Sequence, residues 1–222
     1  MAELIKAKEP FRFYTRLHLS ELTGLKAANL TQMLNLLKEV PGSSIYHHTH
    51  RFLQQHQYLS PEPPNDFAYW ITEMLGEDEL AERLASIDTV QFSHIRSLRE
   101  KIIKTIKDYL KENPSVKAKN AKKNEEFHFI KSVSFILPTN YVATDLREFA
   151  DILKKITIAS IYFHIFEAVL RLEKETNDFS LWIENSIGNK KLADEIARLD
   201  PYTRTLEDLR NVIVNMTKKE IH

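Results

Sequence analysis

Apolar and polar residues alternate near the start of the chain. Phe11, Phe13, Thr15, Leu17 and Leu19 fall on one side of a period-two register, and Arg12, Tyr14, Arg16 and His18 on the other. Successive side chains of an extended chain point to opposite faces, so this period predicts a short strand. The alternation returns less regularly at Phe127, Phe129, Lys131, Val133 and Phe135. Pairing of these two strands with each other is the expectation.

Past each strand the period becomes helical. A first helix is expected over about 25–40 with Thr23 as its N-cap, and a counterpart over about 141–156 behind Thr139. A second begins near Ser44 and near Ser160. In the later copy its apolar stripe is Ile161, Ile165, Ala168, Val169 and Leu172, the spacing of one helical face. A third begins after Asp66 and Asp178, carrying Phe67, Trp70, Ile71 and Met74 in one place and Phe179, Trp182, Ile183 and Ile187 in the other. A short segment follows, with Leu80, Leu84 and Ile87 matching Leu192, Ile196 and Leu199. The last helix carries Ile95, Leu98, Ile102 and Ile106, matching Leu206, Leu209, Ile213 and Met216.

The chain therefore states one pattern twice. Ser44-Ile45-Tyr46-His47-His48 returns as Ser160-Ile161-Tyr162-Phe163-His164, and Asn65-Asp66-Phe67 returns as Asn177-Asp178-Phe179. An offset of 116 aligns residues 11–51 with 127–167, and after a loop four residues longer in the first copy the offset becomes 112. A tandem duplication explains the shared order. The expected organisation is a first repeat at 1–110, a Lys-rich linker at 111–126 containing Pro114, and a second repeat at 127–222. The expected fold is mainly α: two tandem repeats, each a short N-terminal strand plus about four helices, arranged with pseudo-twofold symmetry.

Composition narrows the function. The 222 residues carry 31 Lys and Arg against 31 Asp and Glu. A phosphate-gripping protein usually shows a basic excess, so nucleic acid is not an expected partner. The absence of Cys excludes disulfides, thiolate zinc sites and Cys nucleophiles. No apolar run approaches the roughly 18 residues of a membrane span, and the charged N-terminus lacks a signal-peptide core. A cytoplasmic location without membrane contact is expected. Only 4 Gly are present, against about 7% in average chains, which disfavours Gly-rich phosphate loops and favours helix.

Candidate chemistry centres on histidine. His48 and His164 lie on the core stripe of the second helix, where a ring must be neutral, hydrogen-bonded or metal-bound. The plain reading is a satisfied core histidine, kept in both copies because it holds the fold. Asp66 and Asp178 each precede an amphipathic helix, and N-capping is their plain reading. The sharper reading joins His48, His164, Asp66 and Asp178 into a site for a divalent transition metal shared between the repeats. A metal-dependent enzyme would draw on these and His50.

The copies also differ. The first has His47, His50, Arg51 and His56, where the second has Phe163, Phe166 and Glu167 for the first three, followed by an aliphatic stretch. That face either lines a pocket or is simply more exposed. Arg51 and Glu167, at matching positions, could alternatively pair across a twofold axis. Arg99 and Arg210 recur behind a Leu in both copies, as intra-repeat ion-pair or cap residues, with an anion-binding pair as the sharper reading. His48-Thr49-His50 is an H-x-H, but the many strands and Gly-rich turns of folds that use it are not indicated. H-E-x-x-H, an adjacent His-Asp pair, a Walker loop, a dinucleotide fingerprint and G-x-S-x-G are all absent. His164-x-x-Glu167 reverses the di-iron order and has Arg51 in the other copy.

At Ser44–Phe52, Asn65–Ala68, Ile161–Ala168 and Leu199-Asp200-Pro201-Tyr202 the chain resembles an uncharacterised family of bacterial and archaeal proteins of about 220 residues, catalogued as a domain of unknown function. The resemblance spans the whole chain and brings no catalytic residues. Some members are encoded near enzymes of sugar and glycoside metabolism, so it implies an accessory role there. The expected function is a non-catalytic accessory, regulatory or binding protein. It would engage a protein partner or small ligand through His47, His50, Arg51 and His56. The alternative is the metal-dependent enzyme.

Overall fold

The computed structural model describes residues 5–55, 65–172, 176–199 and 204–221. In chain order it contains β1 (Lys6–Ala27), α1 (Leu30–Glu39), α2 (Gly42–Gln55), α3 (Asp66–Trp70), α4 (Asp78–Ala85), α5 (Ile95–Glu112) and β2 (Phe127–Asp145). There follow α6 (Leu146–Leu153), α7 (Ile158–Tyr162), α8 (Ala168–Leu172), α9 (Asp178–Trp182), α10 (Lys190–Ala197) and α11 (Leu206–Lys219). Single π-helical turns at Ile71–Leu75, Phe163–Glu167 and Ile183–Ile187 continue α3, α7 and α9.

The expected mainly α fold of two repeats about a pseudo-twofold axis is corrected. The strands are long, 22 residues in β1 and 19 in β2, and they pair into a two-stranded sheet that makes the layout strand-plus-helices. Clean alternation stops near Leu19 and Phe135, yet the strands run on. Their later residues are mostly solvent-exposed, so no buried face imposes a hydrophobic period on them. Thr23 and Thr139, expected as helix caps, are strand residues instead. Their hydroxyls donate across the sheet to the carbonyls of Phe129 and Phe13, both at 2.7 Å. α1 and α6 accordingly start later than expected, behind Asn29 and Asp145. Each cap accepts the backbone N–H three residues on, at Gln32 (2.9 Å) and Glu148 (2.8 Å). The Gln32 and Glu148 side chains reach back to the N–H of Ala28 and Thr144, a reciprocal arrangement close to a capping box.

The described chain divides into two compact units. Among the described residues, one comprises 5–17, 134–172, 176–199 and 204–221, the other 18–55 and 65–133. Each therefore joins strand residues from one sequence copy to the helices of the other copy.

In the unit of residues 18–55 and 65–133, Phe127 and Phe129 of β2 enter a core with Leu30, Met33, Leu37, Ile45, Phe67, Ile71, Leu80, Leu98 and Ile106. Phe67 stacks on Phe127 with ring centroids 5.2 Å apart. The Trp70 indole N–H donates to the Glu125 carbonyl at 2.7 Å, fixing the strand entrance to α3. The π turn after α3 ends on Gly76, whose φ of 62° is left-handed, a conformation glycine adopts without Cβ strain. Within the Lys-rich segment a 3-10 turn at Pro114–Ala118 buries Val116, and Lys119 pairs with the buried Glu77 at 2.5 Å.

In the unit that contains residues 5–17, Phe11 and Phe13 of β1 fill the same role among Phe149, Leu153, Ile161, Phe179, Ile183, Leu209 and Ile213. Phe11 meets Phe149 and Phe179 edge-on at 5.9 and 5.4 Å. The Trp182 indole N–H donates to the Glu9 carbonyl at 2.7 Å. Burial of such rings dominates core energetics, each worth on the order of 2–3 kcal/mol. Among the described residues no helix is long and apolar enough to cross a membrane.

Candidate functional site

Asn65 has an extended backbone, and its side chain accepts the Ala68 N–H at 2.9 Å. Asn177 does the same for Ser180 at 2.9 Å. The expected assignment of Asp66 and Asp178 as N-caps is thereby corrected by one residue. The cap needs an extended φ and a short side chain, and the Asn supplies both. The aspartates occupy the first helical turn, where the positive helix end favours a carboxylate.

From there each aspartate reaches a histidine. His48 on α2 places Nδ1 2.8 Å from Asp66 Oδ2, while its Nε2 accepts the backbone N–H of Ile130 at 2.9 Å. In the other unit His164 places Nδ1 2.7 Å from Asp178 Oδ2, and its Nε2 accepts the N–H of Tyr14 at 2.8 Å. An N–H aimed at Nε2 requires a lone pair there, so the ring proton sits on Nδ1 and donates to the aspartate. The rings are buried against Phe127 at 4.7 Å and Phe11 at 5.0 Å. Each His–Asp pair thus pins a strand backbone to the start of a helix. Of the four expected metal ligands, His48 meets Asp66 in one unit and His164 meets Asp178 in the other.

The binding residues expected on α2 are spread over different contacts. His47 Nδ1 lies 3.1 Å from Ser132 Oγ. Burial, then the neighbouring His48 and Arg51, lower its pKa to about 4. His50 is 1% exposed, its Nδ1 is 2.9 Å from Thr49 Oγ and its ring stacks on Tyr46 at 5.4 Å. Burial pushes it to about 4 as well. Arg51 donates to Ser20 Oγ at 2.7 Å. His56 lies outside the described residues. Arg51 and Glu167 each have a partner inside their own unit, Glu167 pairing with Arg16 at 2.6 Å. Arg99 and Arg210, in the second turns of α5 and α11, serve the ends of other helices: their guanidinium groups donate to the Val40 and Ile156 carbonyls, just past α1 and α6, at 2.7 and 2.8 Å.

His47, His48 and Asp66 offer one donor atom each within 4.8 Å of one another, a set that could hold a metal ion. The chemistry carries a condition. A neutral imidazole bound to metal through Nδ1 must carry its proton on Nε2, and that proton would face the Ile130 N–H. Metal binding there costs the strand contact.

Sequence reasoning missed the backbone donors Tyr14 and Ile130, which leave no side-chain signature. It also missed a groove of about 860 Å³ beside His164 in the unit that contains residues 5–17. Phe11, Phe163, Leu181 and Trp182 supply apolar wall; Arg12, Tyr14, Asp178 and Asn185 supply polar groups. The available sequence signal was the copy difference. At the positions of Arg12, Phe163 and Asn185, the other copy carries His128, His47 and Glu73.

No curated protein matches the chain. A solved structure described as the structure of OrfY from Thermoproteus tenax is similar over 98% of both chains, with 27% identity and a TM-score of 0.82. A family model described as a family of unknown function, DUF5752, matches residues 8–218. The chain belongs to that family.

Proposed function

We propose that the chain is a non-catalytic binding protein, acting in an accessory or regulatory role, whose ligand site is the groove beside His164. The observation that carries this reading is the engagement of both ring nitrogens of His164, by the Tyr14 N–H and by Asp178. The one histidine on the groove wall is thereby held as a strut, with no lone pair directed at a ligand for general-base chemistry. Recognition falls to its neighbours. Among the described residues Arg12 and Asn185 make no side-chain hydrogen bond or ion pair within the chain, and both border the groove. With Phe163, Leu181 and Trp182 they suit a small organic molecule with an apolar body and a polar end.

The test is native mass spectrometry of protein purified without denaturant, followed by identification of what denaturation releases. Asn185→Glu, which imports the residue of the other copy, is run beside the wild type. A small-molecule adduct on the wild type that Asn185→Glu loses supports the reading. A bare wild type, unshifted in melting temperature by a metabolite library, overturns it.

The 4.8 Å clustering of His47, His48 and Asp66 favours a second reading, a divalent metal site in the other unit. Titration with Co(II) tests it. Visible d–d bands that disappear in Asp66→Ala support the site; a featureless spectrum on the folded wild type overturns it.

A further inference from the structure

We infer that a second copy of this chain docks on β2 between Phe135 and Val142. Over these residues β2 is solvent-exposed while the neighbouring β1 residues Phe11 and Phe13 are buried. Phe135, Leu137 and Tyr141, which share one face of the strand, are 37–47% exposed. Monomers seldom leave such a run uncovered.

Charge selects the occupant. From Ser132 to Thr144 the chain has no Asp, Glu, Lys or Arg, in a sequence that is 28% charged. In a twofold contact the same patch meets itself, so any charge near the axis faces its own like. A charge-free segment escapes that repulsion, and the zero formal net charge of the chain removes the long-range barrier between identical copies.

The other unit shows the contrast. There the exposed stretch of β1 carries Glu21 and Lys26, paired with Lys131 at 2.9 Å and Glu126 at 3.1 Å. Charges of this kind guard an open strand against association. Size also fits. Eight extended residues span roughly 26 Å, comparable to the width of a standard interface of about 800 Å² per partner. Pro138 has no N–H to offer, so the contact is made by side chains and not by an extended ladder.

The experiment is sedimentation velocity of the full chain over a concentration series, with Leu137→Lys and, as control, Leu22→Lys on the exposed stretch of the other unit. Circular dichroism confirms that the variants fold. A wild-type dimer that Leu137→Lys dissociates and Leu22→Lys leaves intact supports the proposal. A wild type that stays monomeric, or a dimer indifferent to Leu137→Lys, overturns it. The absence of native Cys gives a second readout on the same strand face: under oxidant, Phe135→Cys forms a disulfide-linked dimer if the strands meet, and stays monomeric if they do not.

Discussion

The Nε2 atom of His164 accepts the backbone N–H of Tyr14 at 2.8 Å, across 150 positions of sequence. The bond ties a strand to a helix through a buried ring, and its loss leaves two polar groups short of a partner. His164→Ala is expected to lose about 2–4 kcal/mol of stability, from an unsatisfied Tyr14 N–H, the lost contact to Asp178 and a cavity. His164→Gln, whose amide oxygen can reach towards the N–H, should lose less. Urea denaturation gives the ranking, and hydrogen exchange at the Tyr14 amide locates the cause. Equal losses would refute the role assigned to Nε2.

The cap assignment separates adjacent residues. Asn65→Ala and Asn177→Ala each remove an acceptor for a first-turn N–H and should cost about 1 kcal/mol. Asp66→Asn keeps the helix start and changes the group facing His48. If it destabilised as a lost cap does, with Asn65→Ala silent, the assignment would be reversed.

Acid should weaken the fold through α2. His47 and His50 are lowered to about 4, mainly by burial, whereas an unfolded chain titrates them near 6.5. Between those values the unfolded state binds more protons. Stability is therefore full above about pH 6.5 and declines as pH falls towards 4. His50, the more deeply buried of the two, should contribute on the order of a few kcal/mol, and His47 less. Replacing both by Phe, the residues of the other copy, should flatten the curve of unfolding free energy against pH. An unchanged slope in the double variant would contradict the assignment.

Arg99 and Arg210 should act on stability and not on anions. Each donates to a carbonyl just beyond a helix end, Val40 and Ile156, and burial lowers the pKa of Arg99. Arg99→Ala and Arg210→Ala should each cost about 1–3 kcal/mol. Sulfate should raise the melting temperature of wild type and variants equally. A sulfate effect confined to the wild type would restore an anion site.

The sequence made some of this legible. The repeated motifs located α3 and α9, because Phe67-x-x-Trp70 and Phe179-x-x-Trp182 have helical spacing, and they put His48 and His164 in equivalent buried positions. Strand length was hidden, since residues exposed on both faces carry no period. Thr23 and Thr139 misled because a hydroxyl that caps a helix serves equally well to bridge a strand. The groove was illegible for a different reason. Arg12 and Asn185 lie far apart in sequence, and only the joining of β1 to the later helices brings them to one wall. The partners of the two histidines are main-chain N–H groups, which every residue but proline possesses.

That joining sets an order of events during synthesis. Residues 6–17 leave the ribosome well over a hundred residues ahead of Phe149, His164 and Trp182, which receive them. At about 5–20 residues per second the wait is on the order of ten seconds. For that interval Phe11 and Phe13 belong to a strand whose core does not yet exist. The nascent chain must be kept from finding another one until the later helices are there to take up this strand.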